Sequence, residues 1–354
     1  MLLGIDSFWV EYTRRVLTLL CCAERPLTVP EVIDAVAVEL GDSPKLNKRR
    51  RLGGVEAIHE VCPGFIVIDE QSSTEAPTVR IAHFSIQEYL QSDRILQRTT
   101  AKFSVQKRDA HTEMACICLA YLLVPALLPA DWREEYPLAS YAANNWFRHF
   151  GDDRNESFQH VQHYALRLFR EATAFENWVK MWETDNPIES EPTGQIPSRV
   201  YHASYLGLFT VLTGLLEGGI VSPSRPSESE ATSEVSSPGG FYGNALQAAS
   251  ARGHEAVVRH LLEKGADINT QGGFYGKPTP GGDNKRSRGR GTVAVRKRRH
   301  RRRDRQARTH TSARSFWAGQ QSDNPTPSPA RRCCRLCRRY WSHSNFVCGI
   351  EWGS

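Results

Sequence analysis

A chain of 354 residues with 40% hydrophobic residues is long enough for two or three domains with sizeable cores. It contains no run of about 18 apolar residues, and its first stretch, MLLGIDSFWVEYTRR, mixes acidic and polar side chains with apolar ones; both features argue against a membrane span or a cleavable signal peptide and for an intracellular, cytoplasmic chain. Residues 277–354 carry 20 Lys and Arg against 4 Asp and Glu, a formal +16, whereas residues 1–276 carry 25 against 35, a formal −10; general nucleic-acid binding by the acidic body is therefore disfavoured.

Residues 7–22 place Phe8, Tyr12, Val16, Leu19 and Leu20 at helical spacing and predict a first helix. In RPLTVPEVIDAVAVEL, Thr28 and Glu31 form a capping box, Pro30 is tolerated in the first turn, and Val32, Ile33, Val36 and Leu40 supply the buried stripe of a second helix. After the Gly41–Pro44 break, residues 46–61 read as a third helix weakened at Gly53 and Gly54. Two strands, 64–69 and 78–84, follow as a hairpin, and three helices then a hairpin is winged-helix order. Lys45, Lys48, Arg49, Arg50 and Arg51 begin the third helix, the element that enters the major groove in DNA-reading relatives of this architecture. A helix N-terminus disfavours cations, so the bland alternative is a solvated face or a contact with a neighbouring domain.

Residues 79–95, VRIAHFSIQEYLQSDRI, join a strand to a helix. Ser85 and Glu88 are spaced for a second capping box, and Ile86, Tyr89, Leu90 and Ile95 fall on one face. His83 sits where strand meets helix, a place from which a side chain can face a cleft. This module covers residues 1–105. Residues 106–190 are helical on pattern; Trp132, Trp146, Trp178 and Trp182, with Phe147, Phe150 and Phe169, read as core rather than as a ligand box. His149, His160 and His163 lack metal-ligand spacing and are taken as structural or exposed. Cys21, Cys22, Cys62, Cys116 and Cys118 read as reduced, inert thiols.

GGFYG occurs at 239–243 and again at 272–276, a 33-residue period of ankyrin length. Between the two copies, Ala248 and Ala249 suit a first helix, Gly253 and His254 a turn, and Val257, Val258, Leu261 and Leu262 a second helix. A degenerate earlier copy places Ala203, Gly207, Leu215, Leu216 and Glu217 where Ala249, Gly253, Leu261, Leu262 and Glu263 stand later. The Ser/Glu/Pro-rich stretch 221–238 then reads as a disordered insert within a repeat region spanning 198–276. Tyr242, Asn244, Gln247, Arg252, His254, Glu255, Asp267 and Asn269 are the candidate protein-binding positions.

The third copy starts and is then replaced by KPTPGGDNKRSRGRG and an Arg-rich run, as a change of reading frame would produce. Residues 277–354 are accordingly expected to be disordered. Within this tail, Cys334, Cys337, His343 and Cys348 approach zinc-knuckle spacing, but one interval is a residue too long, and no metal is assigned. The run 296–308 suits nonspecific polyanion binding or nuclear import.

The motifs RPLTVPEVIDAVAVEL, AHFSIQEYL and YPLASYAANNWFRH, with the repeat, resemble the downstream part of fungal STAND signalling ATPases, in which a winged helix follows a nucleotide-binding NACHT domain and ankyrin repeats come later. The resemblance runs from Leu3 to about Gly276. It implies that the histidine matching His83 contacts a bound nucleotide diphosphate. No stretch reads GxxxxGK followed by Ser or Thr, so the phosphate cradle is missing and the chain looks like the part downstream of it. The expected fold is mainly α: a winged helix with a small hairpin, a helical layer, about two ankyrin-type helix pairs and a disordered basic tail. With no nucleophile, paired-carboxylate or phosphate-loop motif, the expected function is non-catalytic and cofactor-free: a regulatory fragment that binds a protein partner through its ankyrin repeats. The alternative is a nucleic-acid binder using the tail and the Lys45–Arg51 cluster.

Overall fold

The computed structural model describes residues 2–70, 76–124, 132–150, 156–185, 196–217 and 234–270. It is mainly helical with two small antiparallel sheets. Helix α1 (Val10–Cys22) buries Val16, Leu17 and Leu19 completely. Phe8 lies before it in a 3-10 turn (Ser7–Trp9) and is 68% exposed, so it does not share the predicted stripe. Strand β1 (Leu27–Thr28) leads into α2 (Val29–Ala37), whose Thr28–Glu31 capping box is present with Pro30 in the first turn.

Helix α2 stops earlier than expected. Val38–Glu39 becomes strand β2 and pairs with β3 (Lys45–Leu46), Val38 opposite Leu46, so Val38 is buried and Leu40 is exposed. The long third helix is also corrected. The basic stretch forms β3 and a 3-10 turn (Lys48–Arg50), and α3 is only Val55–Val61. Gly54 has φ of 123°, outside helical space, so the helix cannot nucleate until it has passed. The predicted hairpin forms from β4 (Ile66–Asp69) and β5 (Thr78–Ile81), with Ile66 opposite Ile81 and Ile68 opposite Val79. β1 adds to the far side of β5, giving the order β1-β5-β4.

Helix α4 (Phe84–Gln91) starts one residue before its predicted cap. His83 is the N-cap, its Nδ1 accepting from the Ser85 N–H at 3.2 Å, in place of a Ser85–Glu88 box. Short α5 (Asp93–Leu96) follows, and Leu90 and Ile95 are fully buried. Helix α6 (Lys107–Leu122) has buried side chains all round from Met114 to Leu122, as expected of a central helix. It packs against α1, α8 (Leu138–Asn145) and α9 (Glu156–Arg170), with α7 (Trp132–Glu135) and α10 (Ala172–Asp185) completing this layer. Trp146 lies at the centre, 5.9 Å from Trp178 and 6.4 Å from Phe169 between ring centroids.

Two helix pairs follow: α11 (Arg199–Leu206) with α12 (Phe209–Glu217), and α13 (Ala245–Arg252) with α14 (Glu255–Glu263). α11 packs along α13, and His202 of α11 sits against Phe175 and Trp178 of the preceding layer. One continuous hydrophobic core thus runs from Leu2 to Leu261. Of the insert expected to be disordered, residues 234–238 are described, and Val235 is buried in this core; an apolar side chain in a polar stretch found a partner the local composition did not reveal. The rest of that insert, the second GGFYG and the whole basic tail lie outside the described residues. Among the described residues no helix is long and apolar enough to cross a membrane.

Candidate functional site

The basic cluster is built into the fold by ion pairs. Lys45 meets Glu39 at 3.1 Å, Lys48 meets Glu135 at 3.2 Å, and Arg50 meets Glu11 at 2.8 Å while stacking over Tyr12. Arg51 clamps buried Asp34, Nε to Oδ1 at 2.6 Å and Nη2 to Oδ2 at 3.0 Å, and Tyr121 donates to the same carboxylate. Burial pushes the Asp34 carboxyl up, against the pull of Tyr121 and Arg51. Glu11 is held below its ordinary value chiefly by its bond from Arg50. Four of the five cations therefore join the winged helix to its own body and to α7, and a recognition helix bearing them does not exist.

His83 is exposed and its ring is committed to the start of α4 through Ser85, Nδ1 lying 2.8 Å from the Ser85 hydroxyl. Its neighbour Phe84 is 68% exposed. His83 therefore faces solvent on an open shoulder of the winged helix rather than lining a cleft among the described residues.

The candidate repeat residues divide into two kinds. Asn244 is buried and caps α13, accepting from the Gln247 N–H at 2.8 Å; His254 binds the Tyr205 carbonyl through Nε2 at 3.1 Å. Both hold the stack together. Gln247 reaches the Thr270 carbonyl at 3.2 Å, and Asp267 accepts from the Asn269 N–H at 2.9 Å, ordering the turn after α14. Arg252, Glu255, Asp267 and Asn269 are exposed; Arg252 lies over the Tyr205 ring at 4.3 Å, and Glu255 pairs with Arg259 along α14. Tyr205 is itself buried and packs with Trp182 of α10 and with Tyr242 of the turn before α13, 5.9 Å between the two tyrosine rings, as a cluster beneath Arg252. Trp182 and Tyr205 carry no repeat signature, and only their contact in space joins them to this cluster.

The turns of the two pairs match atom for atom. Gly207 and Gly253 are left-handed at φ of 74° and 76°, with the Leu208 N–H bonded to the Ala203 carbonyl and the His254 N–H to the Ala249 carbonyl. A Cβ on Gly207 would lie 2.5 Å from the His254 ring, and one on Gly240 would lie 2.1 Å from the Tyr201 ring, so both positions need glycine for space as well as for conformation.

An open groove of about 410 Å³ runs along the seam between the winged helix and the helical layer, lined by Glu24, Arg25, Tyr141, Asn144 and Arg148 among others. Behind it, Tyr141, His149 and His111 are linked by hydrogen bonds. Burial lowers His149 to about 4 and also lowers His111. His160 is exposed, whereas His149 is buried and structural. Burial raises the thiols of Cys21, Cys62 and Cys116 to about 12 and that of Cys22 to about 11, and all five described cysteines are free. Such thiols stay protonated and unreactive. Among the described residues no three metal-ligating side chains converge; Cys334, Cys337, His343 and Cys348 lie outside them.

The order and pairing of the N-terminal elements define a winged-helix domain, and residues 7–106 match the family model described as "GPI inositol-deacylase, winged helix domain". Over 282 residues, 76% of this chain, the sequence is 39% identical to the "Azaphilone pigments biosynthesis cluster protein L" of Monascus ruber. The chain spans 58% of the length of that relative. No solved structure matches the chain.

Proposed function

We infer that the chain is the regulatory, partner-binding part of a larger signalling protein of the NACHT-associated kind and that it performs no catalysis itself. In this reading the winged helix is a rigid coupling element, and the two helix pairs are ankyrin-type repeats whose exposed face binds another protein. The observation that carries it is the stack: two pairs in identical register, with the same left-handed glycine at each turn, resting on the helical layer and presenting Arg252, Glu255, Asp267 and Asn269 to solvent. Such a set of exposed charged and polar groups over a packed scaffold suits protein recognition. The winged-helix match supports the coupling role.

The test is site-specific photo-crosslinking of the full chain in cells, with the probe at Arg252 or Asp267 and, as a control, at Glu88 on the winged helix. One partner captured from both repeat positions, absent at Glu88, and lost from the Asp267 probe on Arg252→Glu with an unchanged melting temperature supports the reading. Capture unaffected by Arg252→Glu, or only at Glu88, refutes it.

A further inference from the structure

The seam holds a hydrogen-bond chain whose proton positions follow from its ends. The Glu24 N–H, in the loop between α1 and β1, donates to Tyr141 Oη at 3.0 Å. Tyr141 is left to donate its own proton to His149 Nε2 at 3.1 Å. His149 must then carry its proton on Nδ1 and donate to His111 Nδ1, 2.8 Å away. His111 in turn carries its proton on Nε2. Every link is filled, and both rings are neutral. The chain ties four parts together: the winged-helix loop through Glu24, α8 through Tyr141, the 3-10 turn Trp146–Arg148 through the adjoining His149, and α6 through His111.

We propose that this chain is a proton-released latch, closed while the histidine pair is neutral and opened when the pair takes up protons, freeing the winged-helix loop from the helical layer. An added proton fits only by displacing a bond already made. Two nitrogens 2.8 Å apart accommodate one hydrogen between them; a second sets two N–H groups head to head. A proton on His149 Nε2 instead displaces the Tyr141 donor. The surrounding charges are mixed: Lys107 on α6 faces His111, and Arg148 faces His149, both opposing protonation, while Glu24 favours it at His111. Arg25 lies over the Tyr141 ring at 5.1 Å, and the Cys118 thiol, which burial keeps protonated, faces Tyr141 from α6. Arg25 is held in a bidentate pair by Glu31, and the seam retains the Arg14–Glu113 clamp and its apolar contacts when the latch opens. Opening is thus local, not unfolding. In the open state the rings regain an ordinary pKa near 6.5, so the opening constant should rise about tenfold per pH unit below that, and up to about a hundredfold where both rings take a proton.

Hydrogen exchange of the full chain at pH 7 and pH 5, corrected for chemical exchange, reads the latch at the Glu24 amide, with the Leu17 amide in the α1 core as reference. The expected result is a loss of Glu24 protection of at least about tenfold at pH 5, with the Leu17 amide far better protected than Glu24 at both pH values. Tyr141→Phe should leave Glu24 unprotected at both pH values. His111→Gln, which keeps an acceptor for His149 but removes one titrating ring, should make the step shallower; it also decides the matter if Tyr141→Phe fails to fold. The latch is refuted by Glu24 protection that does not change with pH, by a Glu24 amide as well protected as that of Leu17, or by a His111→Gln step as steep as in the unsubstituted chain.

Discussion

Gly207→Ala tests the stacking of the two helix pairs at one atom. The residue sits at φ of 74°, and the new methyl would lie 2.5 Å from the His254 ring. A left-handed conformation costs a non-glycine residue about 1–2 kcal/mol, and forcing a methyl into occupied space costs about 1–3 kcal/mol more, so a loss of about 2–5 kcal/mol is expected. The steric part of Gly207→Ala should vanish when the ring is removed. His254→Ala alone loses the bond to the Tyr205 carbonyl, about 1 kcal/mol, yet the double variant should be less destabilised than the sum by about 1–3 kcal/mol. Urea unfolding followed by near-UV circular dichroism, run on all four proteins, gives the coupling directly. A coupling energy near zero would refute the contact between the pairs on which the proposed binding face depends.

Acid should destabilise the fold between about pH 6.5 and pH 4. Burial lowers His149 and His202 to about 4 and also lowers His111, His254 and His260, so the unfolded chain binds more protons in that window and stability rises with pH through it. Thermal midpoints that stay level or climb on acidification across the window would contradict this, since Asp34, a single carboxyl raised by burial, is too little to offset five histidines. Arg51→Ala should cost about 3–5 kcal/mol by stranding the buried Asp34 charge, and Tyr121→Phe about 1–3 kcal/mol, both from urea midpoints. DNA retention at low salt should disappear on deletion of residues 277–354 and persist in a Lys48→Ala, Arg50→Ala double variant whose partners are Glu135 and Glu11; the reverse pattern would restore the winged helix as a DNA reader. His83→Ala should remove an N-cap at a cost of about 0.5–2 kcal/mol and, in isothermal titration, leave an ADP response as null as that of the unsubstituted chain; micromolar binding abolished by the substitution would make His83 a nucleotide contact.

What the sequence determined by itself was whatever depends on neighbours in the chain. The Thr28–Glu31 cap, the β4–β5 hairpin, the buried faces of α1 and α4 and the matched turns at Gly207 and Gly253 all follow from local spacing, and the structure carries each of them. The aromatic residues of the helical layer were legible as core because nothing but a core absorbs so many large rings. Local reading failed where a competing partner came from elsewhere. Val38 left its helix for a strand with Leu46, which also turned the basic stretch away from the helical path that its spacing suggested. His83 replaced Ser85 as the cap because the helix begins at Phe84, which puts Ser85 inside the first turn with its own N–H on the His83 nitrogen. The fate of Lys45, Lys48, Arg50 and Arg51 was decided by Glu39, Glu135, Glu11 and Asp34, up to 87 positions away in the chain. The histidine pair lay furthest beyond reach, since His111 and His149 are 38 residues apart on different elements and neither belongs to any spaced motif. Only the packing of α6 against the turn after α8 sets their nitrogens face to face, and burial there, with Lys107 and Arg148 nearby, keeps them neutral.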